Sequence, residues 1–314
     1  MARYILSIDG SGVRGIIAAT ILQAIQKKIN KPIANIFDLI AGSSVGSLIG
    51  AALCIKDHNG EHKYNTSDIL DILLNSSGRI FNQSMINKVI SVVVGPMYSD
   101  KNLNAVLKEV FGDSTMNDLM VNFIVPSYNL YSNQTVMFRS WVKKYQNIKI
   151  RDVARAAVAA PTYFTPYELV IDNKKELLID SSLVSNNPII EAYAAAQVLY
   201  PSDTIYCLSI GCGTVNMDFS HVQNSLLYWG SKIIFVIIDA GLDAVDYKME
   251  RLVKEGDKYF RMSGDVKYAT HDFSDATPMN IKNVQKDAKK ILADNLDKID
   301  EFCKIVLRDK DGEV

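Results

Sequence analysis

The residues best suited to chemistry in this 314-residue chain sit in glycine-flanked turns. Gly42-Ser43-Ser44-Val45-Gly46 fits G-x-S-x-G, a nucleophile elbow, in which Gly42 and Gly46 permit a sharp strand-to-helix turn that leaves a serine hydroxyl exposed. The turn sets Ser44 at the start of the next helix, where the dipole and free amides favour a developing negative charge. A hydroxyl held this way can attack an acyl carbonyl and carry the acyl group as an ester. The plainer reading is that Ser43, Ser44 and Ser47 only cap the helix.

An earlier turn, Gly10-Ser11-Gly12-Val13-Arg14-Gly15, offers the amides of Gly10, Ser11 and Gly12 at another helix start. Such a nest binds anions and can act as an oxyanion hole. The same string matches G-x-G-x-x-G, so a dinucleotide site is the rival reading. That reading wants an acidic residue where the second strand ends, whereas Asp38 lies near its beginning. A Ser-His-Asp plan would need a histidine late in the chain. His58 and His62 lie in a polar stretch, and neither His221 nor His271 sits in an obvious strand-end loop.

These turns need elements to hold them. Residues 4–8 are an apolar run entering the first turn, and residues 16–29 carry apolar side chains at helical spacing. The pattern repeats with a strand over 36–41 and a small, apolar helix over 47–54, and two strand-turn-helix units in succession predict a parallel sheet with helices on its faces. Further strands are expected at 121–127, 135–141, 176–180 and 204–210, with a helix over 189–199 opened by Pro188. Residues 57–100 read as a helical excursion or lid. From about residue 220 the chain reads as mostly helical, ending in an amphipathic stretch over 284–307. Nothing marks a domain boundary, so a single domain over 1–314 is expected.

Composition excludes some functions. The net charge is −1 with no basic cluster, which argues against nucleic acid as a partner. Cys54, Cys207, Cys212 and Cys303 lack any Cys-x-x-Cys pair and read as buried free thiols, not as disulfides or metal ligands. The N-terminal apolar run is too short for a signal peptide, so a cytoplasmic protein is expected, although an exported effector would look the same. Residues 226–242 are apolar but contain Lys232 and Asp239, and read as a buried or interfacial helix.

In order along the chain, Asp9 to Gly15, Gly42 to Gly46 and Asp180-Ser181-Ser182 resemble the patatin-like phospholipases, whose signature is a D-G-G-G-x-R-G turn, a G-x-S-x-G elbow and a later D-G-A or D-G-G element. Further likeness runs through Ala159 to Phe164, Asn186-Asn187-Pro188, Leu208 to Gly211 and Tyr259 to Met262. The resemblance implies a three-layer α/β fold with a central, mostly parallel sheet between helices and a helical C-terminal part. It implies Ser44 as nucleophile, Asp180 as base without a histidine, and Gly10, Ser11 and Gly12 as the oxyanion hole. Asp180 closes a strand, where a catalytic group of an open α/β sheet projects, although an ordinary turn aspartate would stand there too. Arg14 would either hold the glycine-rich loop or meet a lipid phosphate.

The implied activity is that of a serine lipid acyl hydrolase of the phospholipase A type, acting through an acyl-enzyme on phospholipid or glycolipid at a membrane periphery. No metal or organic cofactor is expected, and an activating partner is compatible with the family. A nucleotide-binding protein or a catalytically silent homologue are the alternatives. Two departures from the signature stand out: Ser11 replaces the middle glycine and is strained if that position needs a positive φ, and Ser181 replaces the flexible glycine that lets the turn close beside the nucleophile.

Overall fold

The computed structural model describes residues 1–82, 95–216, 219–223, 225, 228–229 and 232–311. Among them one eight-stranded sheet forms the centre. Its core strand, β1 (Ala2–Ile8), runs parallel to β2 (Leu39–Gly42) on one side and to β7 (Thr204–Ile210) on the other. Parallel pairing continues from β2 to β3 (Asn122–Asn129) and from β7 to β8 (Lys258–Met262). β4 (Gln134–Arg139), β5 (Tyr167–Ile171) and β6 (Lys174–Ile179) add antiparallel pairs beyond β3.

The pleat sorts side chains between two helical layers. Tyr4, Leu6 and Ile8 of β1 face a core shared with α1 (Gly15–Ile29) and α2 (Val45–Cys54), which α3 (Thr66–Ile80) and α4 (Asp100–Phe111) extend. Ile5 points the other way and packs with Ile189 and Tyr193 of α6 (Ile189–Leu199) and Met249 of α7 (Ile233–Leu252); α5 (Ile150–Ala157) belongs to the first layer. This is the three-layer, mostly parallel arrangement expected from the alternation of strand and helix patterns.

One detail of pairing positions the site. β4 pairs with β3 along Ile124 to Asn129, so it fills one edge of that strand. β2 pairs with Asn122 to Ile124 and β6 with Tyr128 and Asn129, so both must lie along the other edge. β2 runs parallel to β3 and β6 antiparallel. Their C-terminal ends therefore meet head-on in the middle of that edge.

Several expectations are corrected. The strand at 36–41 is confined to Leu39–Gly42, because residues 33–36 form a helical turn and Asp38 is tied to β1: it accepts from the Tyr4 amide at 2.8 Å and from Arg3 at 2.9 Å. β5 and β8 were not anticipated as strands; β5 is an edge hairpin partner of mixed exposure, and β8 lies within a region that reads as helical. The stretch over 284–307 is two helices, α8 (Pro278–Asp294) and α9 (Leu296–Asp311), broken where the Asn295 side-chain Nδ2 donates to the carbonyls of Ile291 and Ser263. Within the expected excursion, Thr66–Ile80 is helical, and residues 83–94 lie outside the described residues, as do several of residues 226–231.

The crossing of α2 over the end of β1 depends on an absent side chain. A Cβ on Gly46 would stand 2.2 Å from the Ile8 carbonyl oxygen and 2.7 Å from that of Asp9, both rigid backbone. Gly46→Ala is therefore expected to lower stability by about 3 kcal/mol, read from the urea midpoint; an unchanged midpoint would mean that α2 does not need this close approach.

Candidate active site

Ser44 occupies the tip of the β2–α2 turn with φ 47° and ψ −122°, a left-handed conformation that costs a non-glycine residue on the order of 1–3 kcal/mol. The surrounding backbone holds it there. Ser43 donates its amide to Ile8 O at 3.0 Å, and the amides of Gly46 and Ser47 close onto the carbonyls of Ser43 and Ser44. A Cβ on Gly42 would lie 2.4 Å from Gly46 O, so both elbow glycines are required sterically. The Ser44 hydroxyl makes no capping bond to its own helix. It donates instead to Asp180 Oδ2 at 2.9 Å.

Asp180 follows β6 directly, where the head-on meeting of β2 and β6 brings it to the elbow. Its amide donates to Ala159 O at 3.0 Å, and its other carboxylate oxygen accepts the Ser182 amide at 2.7 Å. Both bonds fix the carboxylate before any substrate arrives. Among the described residues no cation pairs with it. Burial pushes Asp180 up to about 6, against hydrogen bonds from Ser182 and Ser44 that pull it down.

Neither serine in a glycine position is strained. Ser11 has φ −177°, extended backbone open to any residue, and its hydroxyl accepts from Arg14 Nε at 2.8 Å. Ser181 is in the right-handed helical region with φ −68°. Its hydroxyl accepts the Ser44 amide at 2.7 Å, sits 3.0 Å from Ser43 Oγ and donates to Ala157 O at 3.2 Å, tying the elbow to the acid's loop. The positive φ of the first turn falls on Gly12, at +53°, where a Cβ would also strike the Phe273 carbonyl at 2.1 Å.

The turn supplies fewer donors than the sequence suggests. The Gly10 amide donates to Asn186 O at 3.1 Å and the Val13 amide to Phe273 O at 2.9 Å. Gly10 is thereby corrected from oxyanion donor to anchor. The amides of Ser11 and Gly12 donate to no group among the described residues, and the turn borders Ser44 directly, since a Cβ on Gly10 would stand 2.8 Å from Ser44 Cβ. The dinucleotide reading loses support here, because the Gly10 and Val13 amides are spent within the protein and Asp38 is held by Arg3 and Tyr4.

A buried ion pair that sequence reasoning passed over fixes the turn from below. Asp9, fully buried ahead of Gly10, meets Arg261 of β8 with both oxygens, at 3.1 and 2.7 Å. Arg261 also reaches Asp246 of α7 at 3.1 Å and Ser209 at 2.9 Å, and Asn187 joins Ser7 and Ser209 through its side-chain oxygen. The signal was available in part: an acid buried at a strand end needs a cation, and Arg261 stands in an apolar run. The Phe273 carbonyl had no sequence signal at all.

Two cavities meet at this point, both bordered by Ser44, Asp180 and Gly12. One holds about 870 Å³ of empty space, part of it open to solvent, and is walled almost wholly by hydrocarbon of α2, α3 and α4. The other, of about 650 Å³, lies towards α7 and contains Arg14, Asp239 and His271. Arg14 is 7% exposed, forms no ion pair among the described residues, and leaves its buried Nη1 without a partner. No histidine contacts the dyad: His58 and His221 are exposed, His62 bonds Asn35, and His271 stacks edge-on with Phe235.

Because the folded value of Asp180 lies above that of an unfolded aspartate, its ionised form destabilises the fold at every pH above about 6, and this cost fades as pH falls from 6 towards 4. Asp180→Asn should therefore stabilise the protein by on the order of 2–3 kcal/mol at pH 8 and by little at pH 4, as measured by chemical denaturation. An equal gain at both pH values would assign the effect to something other than charge.

The chain is similar to several known proteins. A family model described as patatin-like phospholipase matches residues 6–193. Patatin-like protein 1 of Arabidopsis thaliana is 27% identical over 338 aligned positions, spanning 93% of this chain and 82% of that protein. Patatin-like protein 2 of Oryza sativa subsp. indica is 28% identical over 345 positions, spanning 94% and 85%. Among solved structures, VipD from Legionella pneumophila aligns with 93% of this chain and 67% of its own at 14% identity and a TM-score of 0.43. With more than half its length matched by that family model and its glycine turn and elbow folded around one point, the chain belongs to the patatin-like phospholipase family.

Proposed function

We propose that this protein is a serine lipid acyl hydrolase of the phospholipase A type, with Ser44 as nucleophile and Asp180 as its base. The observation that carries the reading is the 2.9 Å bond from Ser44 Oγ to Asp180 Oδ2 at the junction of an apolar cavity and a polar one. A free serine hydroxyl is far too weak an acid to ionise beside a carboxylate, so the proton moves to Asp180 as the hydroxyl oxygen bonds to the ester carbon. The amides of Ser11 and Gly12 receive the oxyanion. Asp180 then returns the proton to the leaving alcohol, and a water repeats the sequence on the acyl-enzyme.

A carboxylate raised to about 6 suits this role, since it remains ionised at neutral pH yet holds a transferred proton better than an exposed aspartate would. The acyl chain enters the hydrocarbon cavity. The alcohol portion faces Arg14, whose unpaired buried N–H favours an anionic phosphate over a neutral sugar. Ile233 and Ile237, 41% and 50% exposed beside the residues of α7 that wall the polar cavity, fit peripheral contact with a lipid surface. No helix among the described residues is long and apolar enough to cross a membrane.

Fatty-acid release from phospholipid and galactolipid vesicles tests the reading. Ser44→Ala and Asp180→Asn should each lower kcat by about a thousandfold or more, with phospholipid preferred by the wild type; equal release by all three proteins would end the proposal. Since the base must be ionised, kcat/KM should fall about tenfold per pH unit below about pH 6. A profile flat from pH 8 to pH 5 would remove Asp180 from that role.

A further inference from the structure

The apolar cavity has a direction and an end. Each of three helices turns one stripe into it: α2 from Val45 to Ala52, α3 from Ile69 to Ile80 and α4 from Leu103 to Phe111, at the three- and four-residue spacings of a single helical face. The catalytic end is marked by a run of aromatic ring contacts. The Phe273 carbonyl lies on Gly12, the Phe273 ring is 4.5 Å from that of Tyr163, Tyr163 is 6.2 Å from Tyr98, and Tyr98 is 5.2 Å from Phe81 at the C-terminal end of α3.

The opposite ends of the three helices are laced together. Lys63, just before α3, donates its amide to Ile55 O at the end of α2, at 3.0 Å. Tyr64 donates its hydroxyl to Val110 O at the end of α4, at 2.9 Å. The lining residues farthest from Ser44 are therefore Ala52, Ile69 and Phe111, which are 4%, 3% and 1% exposed. They close the chamber.

We infer that this chamber is an acyl ruler: Ala52, Ile69 and Phe111 form a floor that sets the preferred fatty-acyl length at about twelve carbons. The inference rests on the proposed acyl transfer to Ser44. Its length follows from elementary geometry. At about 1.5 Å per helical residue, the lining stripes extend about 10 Å along α2, about 12 Å along α4 and about 17 Å along α3. An extended hydrocarbon with bonds of about 1.5 Å at near-tetrahedral angles advances about 1.25 Å per carbon. The floor is then reached about eight to thirteen carbons beyond the ester carbonyl, a span that brackets a dodecanoyl chain. Longer chains must bend or leave their ends in the mouth.

The test is kcat/KM across matched octanoyl, decanoyl, dodecanoyl, tetradecanoyl and hexadecanoyl esters, for wild type, Ala52→Phe and Phe111→Ala. Ratios between chain lengths are compared, so a smaller folded fraction in either variant does not affect the result. The wild type should gain several-fold with each added pair of carbons up to dodecanoyl and then level or fall. Ala52→Phe should lower the dodecanoyl-over-octanoyl ratio about tenfold, while Phe111→Ala moves the break towards hexadecanoyl. A steady rise through hexadecanoyl in the wild type, or a break that stays in place in both variants, would overturn the ruler. Should the wild type cleave no ester of any length, the hydrolase reading fails separately. Calorimetric binding of dodecanoate against hexadecanoate then still decides the ruler, which requires the shorter acid to bind at least as tightly.

Discussion

The catalytic geometry depends on two strands sharing one edge of a third. β2 and β6 approach along the same side of β3 from opposite directions, and the gap where they stop is where Ser44 and Asp180 meet. Residues 136 apart in the chain are placed within hydrogen-bonding distance by the hydrogen-bonding ladders of the sheet, which are the stiffest part of the molecule. Neither side chain is held by a long flexible stem. A serine with one rotatable bond to its hydroxyl and an aspartate pinned by the Ser182 amide lose little further freedom when a substrate arrives, which is what a two-residue mechanism without an orienting histidine requires.

Beneath this junction the chain invests in buried charge. Asp9 and Arg261 satisfy each other with paired hydrogen bonds, and Asp246, Ser209 and Asn187 complete the set. Such a pair adds little net stability over a well-packed apolar alternative, but breaking it leaves a lone buried ion. Its evident use is geometric. It pins the residue before Gly10, and so fixes where the unspent amides of Ser11 and Gly12 point. Asp180 is the contrasting case: burial raises both carboxyls to about 6, but Arg261 takes both oxygens of Asp9, whereas Asp180 has no counter-ion among the described residues and turns one oxygen to the Ser44 hydroxyl. Two aspartates at the ends of strands thus carry opposite tasks, and the presence or absence of a guanidinium separates them.

Much of this was legible in the sequence. The elbow, the glycine turn and the alternation of strand and helix patterns depend on local rules, and those elements formed where expected, with β2 shortened by the tether on Asp38. What escaped was non-local. Whether Ser11 and Ser181 are strained depends on backbone angles imposed by neighbours far along the chain: Ser11 is relaxed because the left-handed position of its turn is Gly12, and Ser181 because it enters a right-handed helical turn. Gly10 looked like a donor until Asn186 O was seen to claim its amide. β8 reads as part of a helical region because a five-residue edge strand is too short to declare a period.

The walls of the hydrocarbon chamber come largely from α2, α3 and α4, all of which lie in the single connection between β2 and β3. That connection carries the nucleophile in its first turn and returns to the sheet well before the acid. Past the elbow, selectivity is accordingly inherited on a stretch of polypeptide separate from the strands that align the reacting atoms: insertions, deletions or exchanges later in that crossover can reshape the lipid that is accepted, while those strands stay as they are.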